Sequence, residues 1–291
     1  MSSMETPFLK MNGLGNKIIV ADIRASKTKI TEKAAIALDQ QSDTKFDQIM
    51  EIDESPDPDV DARIRILNSD GSRAEACGNG TRCVVAWMHR ETDQQDYLFH
   101  TDGGLLNAAY VDDTQITVDM GVPRFEWDQI PLEEEFADTT GIELQVGPID
   151  EPILHTPSVA NIGNPHCVFW APKDVWEYEL DRFGPMLENH PIFPERANIT
   201  IANVKSRDHL VIRTWERGAG ITQACGSAAC AAAVCAMRKD LTDRSVTVTL
   251  PGGDMKIDWN AKGHILMTGP AEFEFTGKLD PLTGEFIREA G

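Results

Sequence analysis

An internal duplication is the feature of this sequence that most limits how the chain can fold. Segments recur at a spacing of 148 residues, about half of the 291-residue chain. At this spacing Gly-Asn, Ile-Arg and Ala-Cys-Gly each occur twice: at 15–16 and 163–164, 64–65 and 212–213, and 76–78 and 224–226. A related MGVP/MTGP pair follows at a spacing of 147. A repeat of this length predicts two similar domains that each contribute one cysteine to the cleft between them.

Hydrophobic patterning predicts many short strands and few helices. Runs rich in β-branched residues, or alternating in polarity and bounded by Gly, Pro, Asn or Asp, are typical of strands. The predicted strands are 17–23, 62–67, 115–120, 166–170, 209–215, 245–250 and 254–259, and the predicted helices are 31–40, 79–91, 174–189 and 227–239. This pattern is not the strict strand–helix alternation of a Rossmann sheet. Prolines and an acidic run break the pattern near 121–135 and favour a domain boundary there.

Composition narrows the class of protein. Hydrophobic residues make up 41% of the chain, which is enough for a buried core. The formal net charge of −20 repels phosphates and argues against a nucleic-acid partner. No stretch approaches the ~20 apolar residues of a membrane span, and the N-terminal segment lacks the pattern of a signal peptide. We therefore expect a cytoplasmic protein with neither a membrane nor a nucleic-acid partner.

The six cysteines divide into two groups by their surroundings. No Cys-x-x-Cys pair occurs, so the spacing supports neither a zinc site nor a redox dithiol. Cys77 and Cys225 each precede a glycine and the start of an apolar predicted helix, with Asn79 and Ser227 as predicted N-caps. We interpret the remaining cysteines as packing residues: Cys83, Cys167, Cys230 and Cys235.

The start of a helix gives a cysteine two chemical properties. The exposed backbone N–H groups and the helix dipole favour negative charge, so a thiol there loses its proton more readily. The same N–H groups form a seat for a carboxylate, or for the charge that develops on it during proton removal. Two such thiols, one in each domain, are suited to opposite faces of one carbon. Cys77 and Cys225 are therefore the predicted acid and base of an amino-acid epimerase that needs no cofactor and no metal.

Seven stretches of the chain carry a resemblance to a known family. They are FLKMNGLGN (8–16), LNSDGSRAEACGNGTRC (67–83), MGVP (120–123), NIGNPHCVF (161–169), FPERANI (193–199), ERGAGITQACGSAAC (216–230) and TGPAEFEFTG (268–277). In these stretches the sequence resembles the diaminopimelate epimerase family along nearly its whole length. The resemblance implies an α+β fold of two similar domains related by pseudo-twofold symmetry, each a curled, barrel-like mixed β-sheet around a central helix. The expected domains are 1–122 plus 272–291, carrying Cys77, and 123–271, carrying Cys225.

The resemblance also implies an activity and a set of contacts. The activity is interconversion of LL- and meso-2,6-diaminopimelate, on the path to lysine and peptidoglycan, by a cytoplasmic homodimer. The implied substrate contacts are Asn16, Gln48, Asn68, Asn164, Asn198, Glu216 and Arg217, with backbone seats at Gly78, Asn79, Gly226 and Ser227. His166 and Glu216 are implied to tune the pKa of the cysteines. Arg217, Asn68 and Asn198 suit the distal end of the substrate, which needs a cation for its carboxylate and amide oxygens for its ammonium.

Four positions depart from the family pattern, and two other functions stay open. Asn12, Lys17, Ile221 and Ala228 stand where histidine, an acidic residue, glutamate and glycine are usual. The first alternative keeps the chemistry and changes the substrate to proline, hydroxyproline or another single amino acid. The remote alternative is a non-enzymatic thiol protein, either a redox sensor or a metal carrier.

Overall fold

A computed structural model describes residues 6–289. Contacts divide the chain into two compact units. The first unit takes in the described residues up to Asp119 and those from Thr268 onward, and the second is Met120–Met267. The domain boundaries expected after residues 122 and 271 stay a prediction. The two-domain, sheet-rich α+β class with mixed pairing is confirmed.

The helices and strands follow one another in the order expected of a duplicated unit. The elements up to Asp119 are β1 (Thr6–Gly13), β2 (Asn16–Asp22), α1 (Glu32–Asp39), β3 (Gln48–Asp53), β4 (Ala62–Asn68), β5 (Arg73–Ala74), α2 (Gly78–Thr92), β6 (Asp96–Thr101), β7 (Gly104–Asp112) and β8 (Gln115–Asp119). The next are β9 (Gln145–Val146), β10 (Leu154–His155), β11 (Ser158–Asn161), β12 (Pro165–Trp170), a 3-10 helix (Val175–Glu177), α3 (Leu180–Glu188), β13 (Asn198–Ser206), β14 (His209–Glu216) and β15 (Gly220–Ile221). The last are α4 (Gly226–Arg238), β16 (Ser245–Leu250), β17 (Gly253–Trp259), β18 (Ile265–Gly269), β19 (Glu272–Leu279) and β20 (Phe286–Arg288).

The sheet of the first unit curls around α2. Antiparallel pairing joins β20, β19, β1 and β2 in that order. The sheet continues with β3 parallel to β2, β4 antiparallel to β3, β6 parallel to β4, and then β7 and β8 antiparallel. Strands far apart in this order, β1 and β8 among them, contact the same helix. The helix buries Cys83, Val84, Val85, Trp87 and Met88, which makes it the centre of this unit.

The second unit repeats the pairing scheme of the first. β11 and β12 are antiparallel, β12 and β13 parallel, β13 and β14 antiparallel, β14 and β16 parallel, and β16 and β17 antiparallel. The same alternation joins β1, β2, β3, β4, β6 and β7, so the duplication read from the sequence is present in the topology. α4 contacts strands from β11 to β17, and its residues 228–236 are all buried. Alanine is common on α4 because small side chains let strands pack on every face of it.

Each unit has a second, outer layer. In the first unit α1 packs its Ala34, Ala35 and Leu38 against Phe8 and Ile19. In the second unit the corresponding helix, α3, joins a cluster with residues of β12 and β13. Several predicted site residues lie at strand ends: Asn16, Gln48 and Asn68 in the first unit, and Asn198 and Glu216 in the second. Within residues 6–289, no helix is both long enough and apolar enough to cross a membrane.

The single helix predicted over 174–189 is wrong. The segment forms the 3-10 helix and then α3, with Tyr178 extended between them at φ −103° and ψ 134°. The cause is Arg213 on β14, whose Nη1 donates to the carbonyl oxygens of Val175 (3.1 Å) and Tyr178 (3.2 Å). Its guanidinium also stacks on Trp176, 4.4 Å from the ring centroid. These contacts use carbonyl groups that a continuous helix would need for its own hydrogen bonds.

Candidate functional site

Cys77 is itself the N-cap of α2, so the prediction that Asn79 caps this helix is wrong. The Cys77 backbone is extended (φ −150°, ψ 97°), and its Sγ accepts the Gly80 N–H at 3.2 Å. A Cβ at position 80 would lie 2.3 Å from the Sδ of Met50, so any larger residue there would have to displace this buried side chain. The half-buried sulfur therefore lies directly against the first turn, where the helix end stabilises negative charge.

Cys225 holds the matched place at the start of α4. It is the N-cap of the helix, and Ser227, the predicted cap, lies inside the first turn. Its Sγ is 3.5 Å from the Ser227 Oγ, and the residue is buried. Burial raises the pKa of the Cys225 thiol well above its usual value, the Glu216 carboxylate raises it further, and the hydrogen bond with Ser227 opposes both. Cys225 is therefore protonated at neutral pH.

Glu216 is the charged neighbour of Cys225. It ends β14, three residues after Arg213, and accepts a hydrogen bond from the Thr222 hydroxyl. Thr222 was not predicted as a site residue. Its place three residues before Cys225, in the ITQACG stretch, was the signal that could have identified it. The hydroxyl thus holds one oxygen of the carboxylate that lies near the sulfur of Cys225.

Three predicted contact residues lie together beside Cys77. Asn16 opens β2, Gln48 opens β3, and Asn68 ends β4 directly opposite Gln48. The Asn16 Nδ2 is 3.4 Å from the Gln48 Oε1, and the Gln48 Nε2 is 3.5 Å from the Asn68 Oδ1. The Cys77 Sγ is 3.7 Å from the same Gln48 Oε1. The structure thus places a row of amides along the strand ends, with its middle member against the sulfur.

Asp47 joins this row and was missed in the sequence analysis. One of its carboxylate oxygens accepts both the Asn16 Nδ2 (2.9 Å) and the Lys17 backbone N–H (2.7 Å). Its position directly before Gln48, at the entry to β3, was the available signal. Because consecutive residues of a strand point to opposite sides, that signal alone does not bring Asp47 to the row.

The predicted contacts of the second unit form two hydrogen-bonded pairs. The His166 Nε2 is 2.7 Å from the Asn164 Oδ1. The Asn198 side chain donates to the Pro165 carbonyl at 3.0 Å and accepts the Arg217 backbone N–H at 2.9 Å. Complete burial, together with the smaller effect of the nearby Arg217 charge, lowers the pKa of His166 to about 3. His166 is therefore neutral at working pH, and its tuning of a cysteine stays a prediction.

The predicted backbone seats are the first residues of the two central helices. Gly78 and Asn79 open α2, and Gly226 and Ser227 open α4. The Asn79 side chain accepts a hydrogen bond from the buried Arg82 at 3.1 Å and so faces into the unit. Backbone N–H groups in a first turn are not used by the helix itself, so these positions suit an anion. Their role as substrate seats stays a prediction.

The four departures from the family pattern leave these clusters intact. Asn12 accepts the Gly15 N–H at 2.6 Å and closes the turn between β1 and β2, where Leu14 and Gly15 have positive φ. Lys17 keeps its backbone bond to Asp47, and its side chain is exposed. Ile221 is 40% exposed on β15, whereas Ala228 is fully buried in α4.

Solved structures of low sequence identity share this fold. A phenazine biosynthesis protein of the PhzF family from Bacillus anthracis matches with a TM-score of 0.66 at 15% identity, covering 94% of this chain and 98% of that one. A predicted epimerase from Pseudomonas aeruginosa matches with a TM-score of 0.62 at 16% identity, covering 94% and 99%. A hydroxyproline epimerase from Agrobacterium vitis matches with a TM-score of 0.60 at 13% identity, covering 94% and 90%. Identities this low show a common fold and nothing about the substrate.

Proteins found by sequence comparison are far more similar to this chain. The family model of diaminopimelate epimerase matches residues 8–126 and 158–274. The diaminopimelate epimerase of Rhizobium meliloti (strain 1021) is 60% identical over 285 residues, covering 98% of this chain and 95% of that protein. The diaminopimelate epimerase of Brucella anthropi is 59% identical over 283 residues, covering 97% and 94%. The matches include both cysteine motifs and the strand ends that bear the amides. The chain therefore belongs to the diaminopimelate epimerase family.

Proposed function

We propose that this chain interconverts LL- and meso-2,6-diaminopimelate, with Cys77 and Cys225 as its two acid–base groups. Membership of the family makes the chain an amino-acid epimerase, an isomerase that serves lysine biosynthesis. One observation carries the assignment of the two thiols: each is the N-cap of the central helix in one of two units with the same strand pairing. Packing alone gives no reason for two cysteines at matched helix starts.

The proposed reaction is a proton exchange at one carbon. One cysteine, as thiolate, takes the proton from the α-carbon, and the electron pair of the broken C–H bond spreads into the carboxylate. The other cysteine, as thiol, gives its proton to the opposite face, which inverts the configuration. After one turnover the two sulfur atoms have exchanged protonation states. The first-turn N–H groups of α2 and α4 stabilise the charge that develops on the carboxylate.

We propose that the distal amino-acid end of the substrate is recognised separately from the reacting end. Arg217 offers a guanidinium to the distal carboxylate, and its backbone is held by Asn198 while its Nη1 donates to the Glu195 carbonyl at 2.9 Å. Asn68 and Asn198 offer amide oxygens to the distal ammonium. A single amino acid such as proline has no second end, so these groups favour a long substrate.

A substrate panel in metal-free, cofactor-free buffer tests the proposal. We expect turnover of LL- and meso-diaminopimelate and none of proline or hydroxyproline. Arg217→Ala should raise KM for diaminopimelate about tenfold or more, since a charge-assisted hydrogen bond contributes about 1.5–3 kcal/mol. Racemisation of single amino acids with comparable kcat/KM would contradict the assigned substrate.

The assembly and location belong to the same proposal. We propose a homodimer in the cytoplasm, as the resemblance implies. The mass of the purified protein in solution, measured by light scattering, tests the dimer independently of activity.

A further inference from the structure

A chain of side-chain hydrogen bonds runs between two carboxylates in the first unit. It begins at Asp47, continues through the amides of Asn16, Gln48 and Asn68, and reaches Ser72. The Ser72 hydroxyl then donates to the Asp70 carboxylate at 2.6 Å. We call these six residues the amide relay. The middle one of its three amides, Gln48, contacts the sulfur of Cys77.

The chemistry of Asp47 fixes the direction of the relay at one end. A carboxylate only accepts hydrogen bonds, so Asn16 must turn its NH2 group, and not its oxygen, toward Asp47. The second N–H of the same group then points to Gln48, 3.4 Å away, which must present its carbonyl oxygen. This orientation follows from which atoms can donate a hydrogen bond and which can only accept one.

The chemistry of Asp70 fixes the same direction at the other end. Hydrogen bonds from the Ser72 hydroxyl and backbone N–H lower the pKa of Asp70, so it too is ionised and only accepts. The Ser72 hydroxyl donates its hydrogen bond to Asp70 and accepts one from the Asn68 Nδ2 at 3.0 Å. The Asn68 oxygen therefore faces the Gln48 Nε2. Both ends require Gln48 to hold its NH2 toward Asn68 and its oxygen toward Cys77.

We propose that Asp47 is a positioning residue, which acts through Asn16 to keep the Gln48 carbonyl oxygen, and not its NH2 group, against the sulfur of Cys77. A carbonyl oxygen accepts a hydrogen bond from the S–H of the thiol but cannot donate one to the thiolate. An NH2 group in its place would donate a hydrogen bond to the thiolate and stabilise it. The Gln48 oxygen thus favours the protonated thiol, whereas the Gly80 N–H favours the thiolate. The balance keeps the Cys77 thiolate basic enough to take a proton from carbon. This inference rests on the proposed role of Cys77.

The relay also decides what Asn16 offers a substrate. Asp47 and Gln48 occupy both N–H bonds of the Asn16 side chain. Its carbonyl oxygen is then the group that faces a ligand, and it suits an ammonium group. Loss of Asp47 should therefore affect both the sulfur and the recognition of the substrate amine.

The test measures the thiol directly and needs no substrate. The rate at which iodoacetamide alkylates Cys77 is followed against pH by peptide mass spectrometry in reductant. Asp47→Ala removes the oxygen that accepts from Asn16 and should lower the pH of half-maximal reactivity by about half a unit or more, which is about 0.7 kcal/mol. Asp43→Ala removes a carboxylate from an exposed neighbouring position and should leave the profile unchanged. In about 1 M KCl, where the Debye length is about 3 Å, a purely Coulombic effect fades and the relay effect persists.

A double-mutant cycle separates the relay from the charge of Asp47. Asn16→Ala keeps that charge and the Lys17 bond but breaks the relay, so it should lower the midpoint by itself. In that background, at the same high salt, Asp47→Ala should add no further shift. Full additivity of the two substitutions, or an Asp47→Ala shift that disappears in high salt, would overturn the proposal. Since alkylation is independent of turnover, either outcome leaves the proposed epimerase activity to be tested on its own.

Discussion

The two units share a scaffold and differ in what faces the sulfur. In the first unit the half-buried Cys77 contacts the neutral amide of Gln48. In the second unit the buried Cys225 lies beside the carboxylate of Glu216. Glu216 occupies the position that Asn68 holds in the first unit, since both end the fourth strand of their repeat at the spacing of 148 residues. The two repeats therefore share the strand order and a cysteine at the start of the central helix. They differ in the charge of the residue at positions 68 and 216.

This difference shows that matched positions need not be equivalent groups. A thiol beside a carboxylate releases its proton less readily than a thiol beside an amide and a helix N–H group. In the proposed reaction each thiol acts as the base for a different stereoisomer, so the two thiols can have different pKa values. The residue that we propose for the distal end of the substrate, Arg217, occurs in the second unit only, because Ser69 holds the corresponding position in the first.

Removing either sulfur should have the largest effect, and the same effect in both halves. Cys77→Ala and Cys225→Ala should each lower kcat for epimerisation by about a thousandfold or more, since each removes a group that must give or take a proton. The measurement is conversion of LL-diaminopimelate followed by chiral separation. Cys83→Ala is the matched control, because this buried cysteine lies on the same helix as Cys77 and should keep its activity if the fold is intact. Near-full turnover by either active-site variant would show that the scheme has only one essential thiol.

Changing the charge of the residues at positions 216 and 68 should have a smaller effect than removing a sulfur. It tests whether these residues cause the two thiols to differ in pKa. Glu216→Gln removes the carboxylate beside Cys225, so the pKa of that thiol should fall. The pH dependence of thiolate ultraviolet absorbance, measured in a Cys77→Ala background, reports this shift. The reciprocal Asn68→Asp should make Cys77 harder to alkylate at neutral pH.

The control for this exchange is Glu179→Gln, a change of the same kind at an exposed carboxylate that pairs with Arg182. It should leave the Cys225 titration unchanged. If Glu216→Gln also left it unchanged, the carboxylate would not raise the pKa of Cys225 and the two halves would not differ electrostatically in this way.

The smallest expected effect concerns His166, whose counterpart in the first unit is Ile18. Burial lowers the pKa of His166 from 6.5 to about 3 in the folded protein. The unfolded chain binds a proton near pH 6.5 and the folded chain does not, so this residue's contribution to stability is full above that pH and is lost as the pH falls toward 3. His166→Gln should therefore lose less stability than the wild type between pH 7.5 and 5, measured by urea denaturation. His155→Gln, at an exposed histidine, should retain the wild-type acid sensitivity.

The sequence predicted the features that depend on local pattern and on repetition. Strand periodicity, the apolar runs of α2 and α4, and the recurrence of Ala-Cys-Gly were sufficient for the two-unit fold and for the choice of Cys77 and Cys225. These signals are local, and the repeat supplied a second copy of each.

Features that depend on a distant partner could not be predicted. The break at Tyr178 is caused by Arg213, which is 35 residues away and reaches the segment only after β14 has paired with its neighbours. Asp47 joins the amide row because Asn16 lies 31 residues before it on the adjacent strand. The capping sulfur of Cys77 was missed because asparagine and serine are more usual N-caps, and only the extended backbone at Cys77 shows where the helix starts.

The central claim is that two thiols act on one carbon, and the fate of the α-hydrogen tests it most directly. LL-diaminopimelate is incubated with the enzyme in deuterium oxide, with chelator and without cofactor, and both isomers are analysed by mass spectrometry at low conversion. The account predicts that the meso product carries one deuterium while the remaining LL substrate carries none, because the proton that is added comes from a second, solvent-exchanged thiol. A product that retains the original hydrogen would show that a single base removes and returns it, and would contradict the account.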